Sequence, residues 1–322
     1  MKKITNFLIM AFVCLSGTTY AQQDVNDFVD DMLYIADGFA APASNSAAYQ
    51  GTAGWFTSAK SLDLWKVDVS FHGNALFVPP SKKEFTVSAS NLKLLQINDG
   101  ANAAVVPTAF GSTSNVKFSG NVMGQDFSFD AIEGIDKGAL FYPFAQVSVG
   151  LPFETEVGVR ALPELEVDGS KFSTYGIAIK HNFSQYFRFN RKEDLQLAAV
   201  ISYNIFNVKY GFNPVAVPDV VTLNLINVDA DMIMGELLAS KRYESFEIFG
   251  ALGVAKSNFD YRFDGSGFGL PLINQELTAL SDNEAQFKGD IGFNLYFTRF
   301  KISTMATAGK FFNVNLGLHF IL

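Results

Sequence analysis

The chain holds three histidines, His72, His181 and His319, and Ser70, His72 and Asn74 stand at two-residue spacing. Serine, histidine and asparagine are the groups of a nucleophile, a base and a residue that orients the base. Two-residue spacing puts them on one face of an extended strand. Glu154, Glu156 and Arg160 share a face in the same way, as paired acids or as an ion network. Gly265-x-Gly267-x-Gly269 has glycines at the intervals of a phosphate cradle. No strand-then-helix pattern flanks it, so a flexible extracellular loop is expected and no cofactor. No His-x-x-x-His or Glu-x-x-His helix is present and Cys14 is the single cysteine, so neither a zinc site nor a disulfide framework is expected.

The elements that must carry these residues follow from composition and period. Of 322 residues 48% are hydrophobic and 17% charged, with 33 Phe and 26 Gly, and the formal net charge is −8. An acidic balance gives no electrostatic reason to bind nucleic acid. Lys2 and Lys3, the apolar run Ile4 to Leu15 and Thr19-Tyr20-Ala21 predict a signal peptide over residues 1–21. No segment offers about twenty uninterrupted apolar residues, so a membrane role requires a closed barrel.

Period-two alternation supplies one. Trp65, Val67, Val69 and Phe71 oppose Lys66, Asp68, Ser70 and His72, and Phe312, Val314, Leu316, Leu318 and Phe320 oppose Asn313, Asn315, Gly317 and His319. One face is apolar and the other small or polar over about ten residues, as in strands that cross lipid. Aromatics gather at strand ends (Tyr186, Phe187, Phe189, Tyr243, Phe246, Phe297, Phe300, Phe311, Phe312), and the chain stops on Phe320-Ile321-Leu322. A secreted sandwich would alternate too, but with shorter strands and a less polar inner face.

The expected fold is therefore an all-β, transmembrane antiparallel β-barrel over 61–322, with an N-terminal helix and plug over 22–60. Ten strands are predicted: 62–72, 139–149, 153–162, 172–183, 194–209, 232–243, 246–256, 285–298, 300–309 and 312–322. Links 210–231 and 257–284 read as long external loops, the asymmetry usual in such barrels. Segment 73–138 must add an even number of strands. Hairpins Glu84–Ser90 with Leu92–Ile97 and Val116–Val122 with Phe127–Ile132 favour 14, with 12 or 10 allowed.

Residues 24–40 break the period. Val25, Phe28, Val29, Met32, Leu33 and Ala36 fall at helical spacing, with Asp24, Asp27, Asp30 and Asp31 elsewhere on the wheel. Either this is a periplasmic helix shielding a surface, or the helix and the loop after it enter the lumen from the periplasmic side as a plug, which needs an apolar patch there. On this reading Phe28, Met32, Lys66, Asp68, His72, Glu154, Glu156 and Arg160 line the lumen or a ligand site, and Ser70, His72 and Asn74 are polar lining rather than a hydrolase centre.

Signal peptide, plug-like helix, Phe-rich alternating strands and a terminal Phe-x-Leu resemble an uncharacterised Bacteroidota-type outer-membrane barrel family and, through it, the long-chain fatty-acid transporter superfamily. Ala41-Pro42-Ala43-Ser44-Asn45 departs from the Asn-Pro-Ala element of that superfamily's hatch. The resemblance implies a 14-stranded barrel with an N-terminal hatch, passing hydrophobic molecules through a lateral opening. The expected function is uptake of a hydrophobic or amphipathic small molecule across the outer membrane, without enzymatic activity and with outer-membrane lipid as partner. The alternatives are a scaffold or partner subunit of a secretion or surface-assembly complex and, last, a barrel lipase.

Overall fold

The computed structural model describes residues 2–167, 170–187, 195–279 and 282–322, with side chains from residue 23 onward except at 48, 99, 167, 279 and 282–284. The expected signal-peptide side chains, and Phe189 of the aromatic set, lie outside the described residues. In chain order the elements are helix α1 (Lys2–Thr52), β1 (Val67–Phe77), the short strands β2 (Glu84–Ser88), β3 (Gln96–Ile97), β4 (Ala103–Pro107), β5 (Lys117–Val122) and β6 (Gln125–Asp130), then β7 (Ala139–Leu151), β8 (Thr155–Val167), β9 (Ser170–Asn182), β10 (Gln196–Val217), β11 (Val221–Tyr243), β12 (Phe246–Ser266), helix α2 (Leu270–Ala279), β13 (Asp282–Phe297), β14 (Phe300–Ala308) and β15 (Phe312–Ile321).

Ten strands, β1 and β7 to β15, close into an antiparallel barrel among the described residues. The seam is β1, which pairs with β15 on one side and β7 on the other, so that Phe71 sits opposite Leu318 and Ala145. Every strand predicted from alternation lies in this barrel. The count is ten, not 14 or 12. The pairs expected to raise it are strands, but two to six residues long, whereas a lipid-crossing strand needs roughly 9–11. They form two small sheets outside the wall. β5 and β6 make the expected hairpin around Met123 and Gly124, whose φ values of 54° and 80° suit its two-residue turn. β2 instead pairs with β4.

The wall is inverted relative to a soluble domain. Phe71, Ile201, Leu237, Leu252, Phe287 and Leu316 stand exposed on its outside, while Asp68, His72, Arg160, Lys180, Glu236, Lys288 and Asp290 are buried inside. Trp65, Tyr186, Phe187, Tyr243, Phe246, Phe297 and Phe300 ring the end where the links are short. Phe311 does not join the outer aromatics, since it is buried inward against Tyr49 at a centroid distance of 6.0 Å.

β10, β11 and β12 run 22, 23 and 21 residues, roughly 70 Å each at the strand rise. The expected loop 210–231 is thus the far half of a hairpin, and 257–284 continues β12 and adds α2. These extensions make a tall rim. Against it pack β2 to β6, α2 and residues 25–40 of α1, sharing one core with Phe28, Met32, Val87, Phe118, Leu223, Phe263 and Ile273 fully buried. A strand and a helix do flank Gly265-x-Gly267-x-Gly269 after all. Cβ atoms at Gly265 and Gly267 would strike the carbonyls of Thr222 and Val220, so the glycines permit close packing rather than holding a phosphate.

Helix α1 was expected to end near residue 40 and instead runs through Pro42 to Thr52. Its second half lacks an amphipathic stripe because the barrel surrounds it. Ala40, Ala43, Ser44, Ser46, Ala47 and Gly51 keep it slim enough for a ten-strand lumen.

Candidate functional site

The tall rim and the lumen below it are filled by the chain's own residues 39–62. Helical residues enter first. Ser44 Oγ lies 2.9 Å from Tyr261 Oη, Gln286 Nε2 donates to Asn45 Oδ1 at 2.8 Å, and Tyr49 Oη donates to Phe287 O at 2.7 Å while accepting from Lys310 N at 2.8 Å. The helix then ends in mid-barrel, where its last carbonyls need donors. Arg160 supplies them, with Nη1 3.3 Å from Gly51 O and 2.9 Å from Ala53 O, and with Nη2 3.1 Å from Gln146 Oε1. Its guanidinium lies between the faces of Trp55 and Phe144, 4.1 and 3.9 Å from the ring centroids. No carboxylate pairs with this buried charge among the described residues. The helix end, an amide and two aromatic rings hold it instead.

Residues 53–62 cross the remaining lumen without regular structure, so wall side chains must satisfy their backbone. Gln146 Nε2 donates to Trp55 O at 2.8 Å, Asn294 Nδ2 to Thr57 O at 2.7 Å and Asn182 Nδ2 to Ala59 O at 3.1 Å. Lys180 Nζ donates to Ser58 O and Lys60 O at 2.9 and 3.0 Å and pairs with Glu156 at 2.8 Å. Ser58 Oγ donates to Glu247 Oε1 at 2.7 Å. Apolar wall residues are interleaved with these polar ones on β9 and β12 and continue on β10, β11 and β14. Trp55 and Phe56 pack against Ala178, Ala198, Val200, Met234, Leu238, Phe249, Ala251 and Met305. This is the luminal apolar patch that a plug requires, and the plug itself fills it. Gly176 makes room, since a Cβ there would lie 2.8 Å from Trp55 Cζ2.

The site residues expected from the sequence separate into three groups. Asp68, His72, Glu156 and Arg160 point inward and are buried. Lys66 is exposed and precedes β1, where it lines the short-turn mouth instead of the lumen. Glu154 is exposed in the turn between β7 and β8 with φ 51°. A turn residue is released from strand parity, which is why its expected luminal place fails. Phe28 and Met32 are fully buried, but in the rim core, with Phe28 edge-on to Phe127 at 5.5 Å. They do not face the lumen, because residues 25–40 of α1 lie in the rim core.

His72 and His319, distant in sequence, meet across the seam with rings 5.1 Å apart. Asp68 Oδ2 accepts from His319 Nδ1 at 2.8 Å, and His319 Nε2 is 2.9 Å from Ser303 Oγ. His72 Nε2 is 3.0 Å from Ser70 Oγ and its Nδ1 3.1 Å from Asn315 Oδ1, so the orienting amide is Asn315 rather than Asn74. Lys301, Ser303, Gln146, Lys180 and Glu247 were not singled out in the sequence. Their inward parity was readable, but their meeting depends on strand order. Ser303 has no exposed surface, and Gly54 of the plug lies over Asn315.

Gly317 leaves the space this cluster needs. A Cβ there would overlap Ser303 Oγ and lie 2.8 Å from both His319 Nε2 and His72 Cε1. Gly317→Ala is expected to destabilise the barrel by about 1–3 kcal/mol, read as a lower unfolding temperature in detergent. Gly235→Ala, with nothing within 4 Å, is expected to leave that temperature unchanged.

Below the plug a cavity of about 270 Å³ opens at the short-turn mouth, lined among others by Phe56, Leu62, Lys66, Asp68, Lys301 and Ile321. Lys301 is loosely held there, 3.3 Å from Thr57 Oγ1 and 3.7 Å from Asp68.

The structure is similar to the outer membrane protease OmpT from Escherichia coli at 10% identity, covering 82% of this chain and 100% of that one, with a TM-score of 0.32. It is similar to the translocator domain of the autotransporter NalP from Neisseria meningitidis at 9% identity, covering 88% and 99%, with a TM-score of 0.37. For a Pseudomonas aeruginosa FadL homologue the values are 12% identity, 76% and 60% coverage and a TM-score of 0.33. No curated protein matches the sequence. Over residues 1–322 the sequence matches DUF6588, and the chain belongs to that family of unknown function.

Proposed function

We propose that the chain is an outer-membrane β-barrel that takes up small amphipathic molecules, with its N-terminal segment as the gate. The exposed apolar belt suits acyl chains, and the aromatic ring at the short-turn end suits a lipid interface. The observation that carries the gating reading is the way residues 53–62 are held. Hydrogen bonds from polar wall side chains, which water can replace, hold the backbone of Trp55, Thr57, Ser58, Ala59 and Lys60. The mouth cavity, with Phe56, Leu62 and Ile321 beside Lys66 and Lys301, suits a solute with an apolar body and an anionic head.

We read the Asp68–His319–Ser303 chain as polar packing beneath the plug and the protein as non-enzymatic. The test is flux of radiolabelled decanoate, and of glucose as a polar control, into proteoliposomes containing the full mature chain. Protein-dependent entry of decanoate exceeding that of glucose is expected. No entry of either, together with no binding of decanoate, would remove the uptake reading. The separately cored cap at the tall rim favours a second reading, a scaffold for a protein partner. A stable partner co-purifying from membranes, and lost when residues 84–130 are deleted, would replace the first reading with this one.

A further inference from the structure

The direction in which the chain runs through its own barrel bears on where its N-terminus lies, and this rests on the membrane placement proposed above. Successive residues meet successive levels of the wall. Ser61 Oγ donates to Glu154 O at 2.6 Å beside the β7–β8 turn, at the short-turn end. Ala59 lies against Asn182 and Ser240 just inside that end. Ala53 and Gly51 sit at Arg160 in mid-wall. Tyr49 has reached Gly309 and Lys310, in the β14–β15 link at the opposite end. Above that end, Phe39 O accepts from Ala109 N at 2.9 Å, Tyr34 Oη donates to Thr86 O at 3.3 Å, and Asp31 is bound by residues 93–95. Phe28 packs on Phe127 in the cap.

The order never reverses, and α1 is one continuous helix through all of it. From Phe28 to Gly51 it spans roughly 35 Å at the helical rise, more than the roughly 25 Å apolar band of such a barrel. The two longest links, 78–138 and 267–281, also lie at the tall rim, whereas the 243–246 and 297–300 links, both ends of the 183–195 link and Leu322 lie at the other end. Long connections mark the outer face of these barrels and short turns the periplasmic face.

We propose that the mature N-terminus lies on the outer face of the membrane. The barrel is a conduit for its own N-terminal segment, and whatever precedes residue 25 in the mature chain is displayed beyond the tall rim. A hatch entering from the periplasm, the arrangement expected from the sequence, would place it on the opposite side.

Three full-length variants test this, each with one epitope inserted, after Gln23, after Gly124 in the exposed β5–β6 turn, or after Glu244 in the exposed β11–β12 turn. Antibody labelling is compared between intact and permeabilised cells. The epitopes after Gln23 and Gly124 are expected to label equally in both, and the one after Glu244 only on permeabilisation. Labelling after Gly124 but not after Gln23 in intact cells would overturn the threading. Labelling after Glu244 alone would reverse the orientation and overturn it as well. Labelling of none of the three in intact cells, with all three reached after permeabilisation, would instead sink the membrane placement on which it rests.

Discussion

Arg160→Met is expected to turn a closed barrel into a conducting one. Methionine keeps the apolar bulk between Trp55 and Phe144 but removes the donors to Gly51 O and Ala53 O, leaving Tyr142 Oη on Gln50 O to hold the end of α1. Hydrogen bonds from a charged group contribute about 1.5–3 kcal/mol each. Even one such bond's loss, at about 3 kcal/mol, corresponds to roughly a hundredfold rise in detached plug. The barrel itself should survive, because the substitution also relieves the cost of burying a charge that has no acidic partner. Single-channel recordings in planar bilayers provide the measurement. Wild type should be silent or open rarely, and the variant should show frequent long openings with unchanged thermal stability of the barrel. A variant as silent as wild type would show that Arg160 does not latch the plug.

Asp31→Ala is expected to detach the cap from α1 while the barrel stays folded. Asp31 is fully buried, and its carboxylate accepts three backbone N–H groups, from Lys93 at 2.7 Å, Leu94 at 2.8 Å and Leu95 at 2.7 Å. Alanine leaves all three without an acceptor in an apolar core, at about 1–3 kcal/mol apiece. The expected loss is therefore about 3–9 kcal/mol, confined to the rim. Limited proteolysis should cut within 84–130 at least tenfold faster, since about 1.4 kcal/mol of local opening is already a tenfold change in population. Barrel migration on unheated gels should not change. Asp30→Ala is the control. Asp30 pairs with the exposed Lys93 ammonium, and an exposed pair contributes little. Equal proteolysis of the Asp31 variant and wild type would dismiss the anchor.

The sequence made the ten wall strands legible because a closed wall with an apolar outer face and polar contacts inside enforces strict alternation. It misled where the same alternation arises from another cause. Val116–Val122 and Phe127–Ile132 alternate because one face packs on α1 and the other meets solvent, which a membrane strand's pattern does not distinguish at that length. The upper halves of β10 and β11 were hidden because their inner face turns apolar, at Val215, Val217, Leu223 and Ile226, where it leaves the lumen for the rim core. Helix α1 beyond residue 40 was hidden because a helix enclosed on every side needs small residues rather than a stripe, and Pro42 reads as a stop. Asp31 was placed with the solvent-facing acids, since the sequence cannot show that a loop sixty residues later offers it three donors. Of the candidate site, the inward parity of Asp68, His72, Glu156 and Arg160 was readable. That Arg160 binds the chain's own helix, and that His72 meets His319, became visible only once the seam had joined the two ends of the wall.

That seam bears on how the molecule must assemble. β1 and β15 are the first and last staves of the cylinder, and residues 39–62, which immediately precede β1, already touch β7, β8, β9, β11, β12, β13 and β14. A shut cylinder could not admit this segment sideways, so the sheet has to curl around it as around a mandrel, with the final edge zipping afterwards. Because that edge joins the most distant parts of the chain, its closure is entropically the slowest pairing to reach. Lesions in the mandrel should accordingly show first as barrels that fail to mature, before any defect appears in those that do.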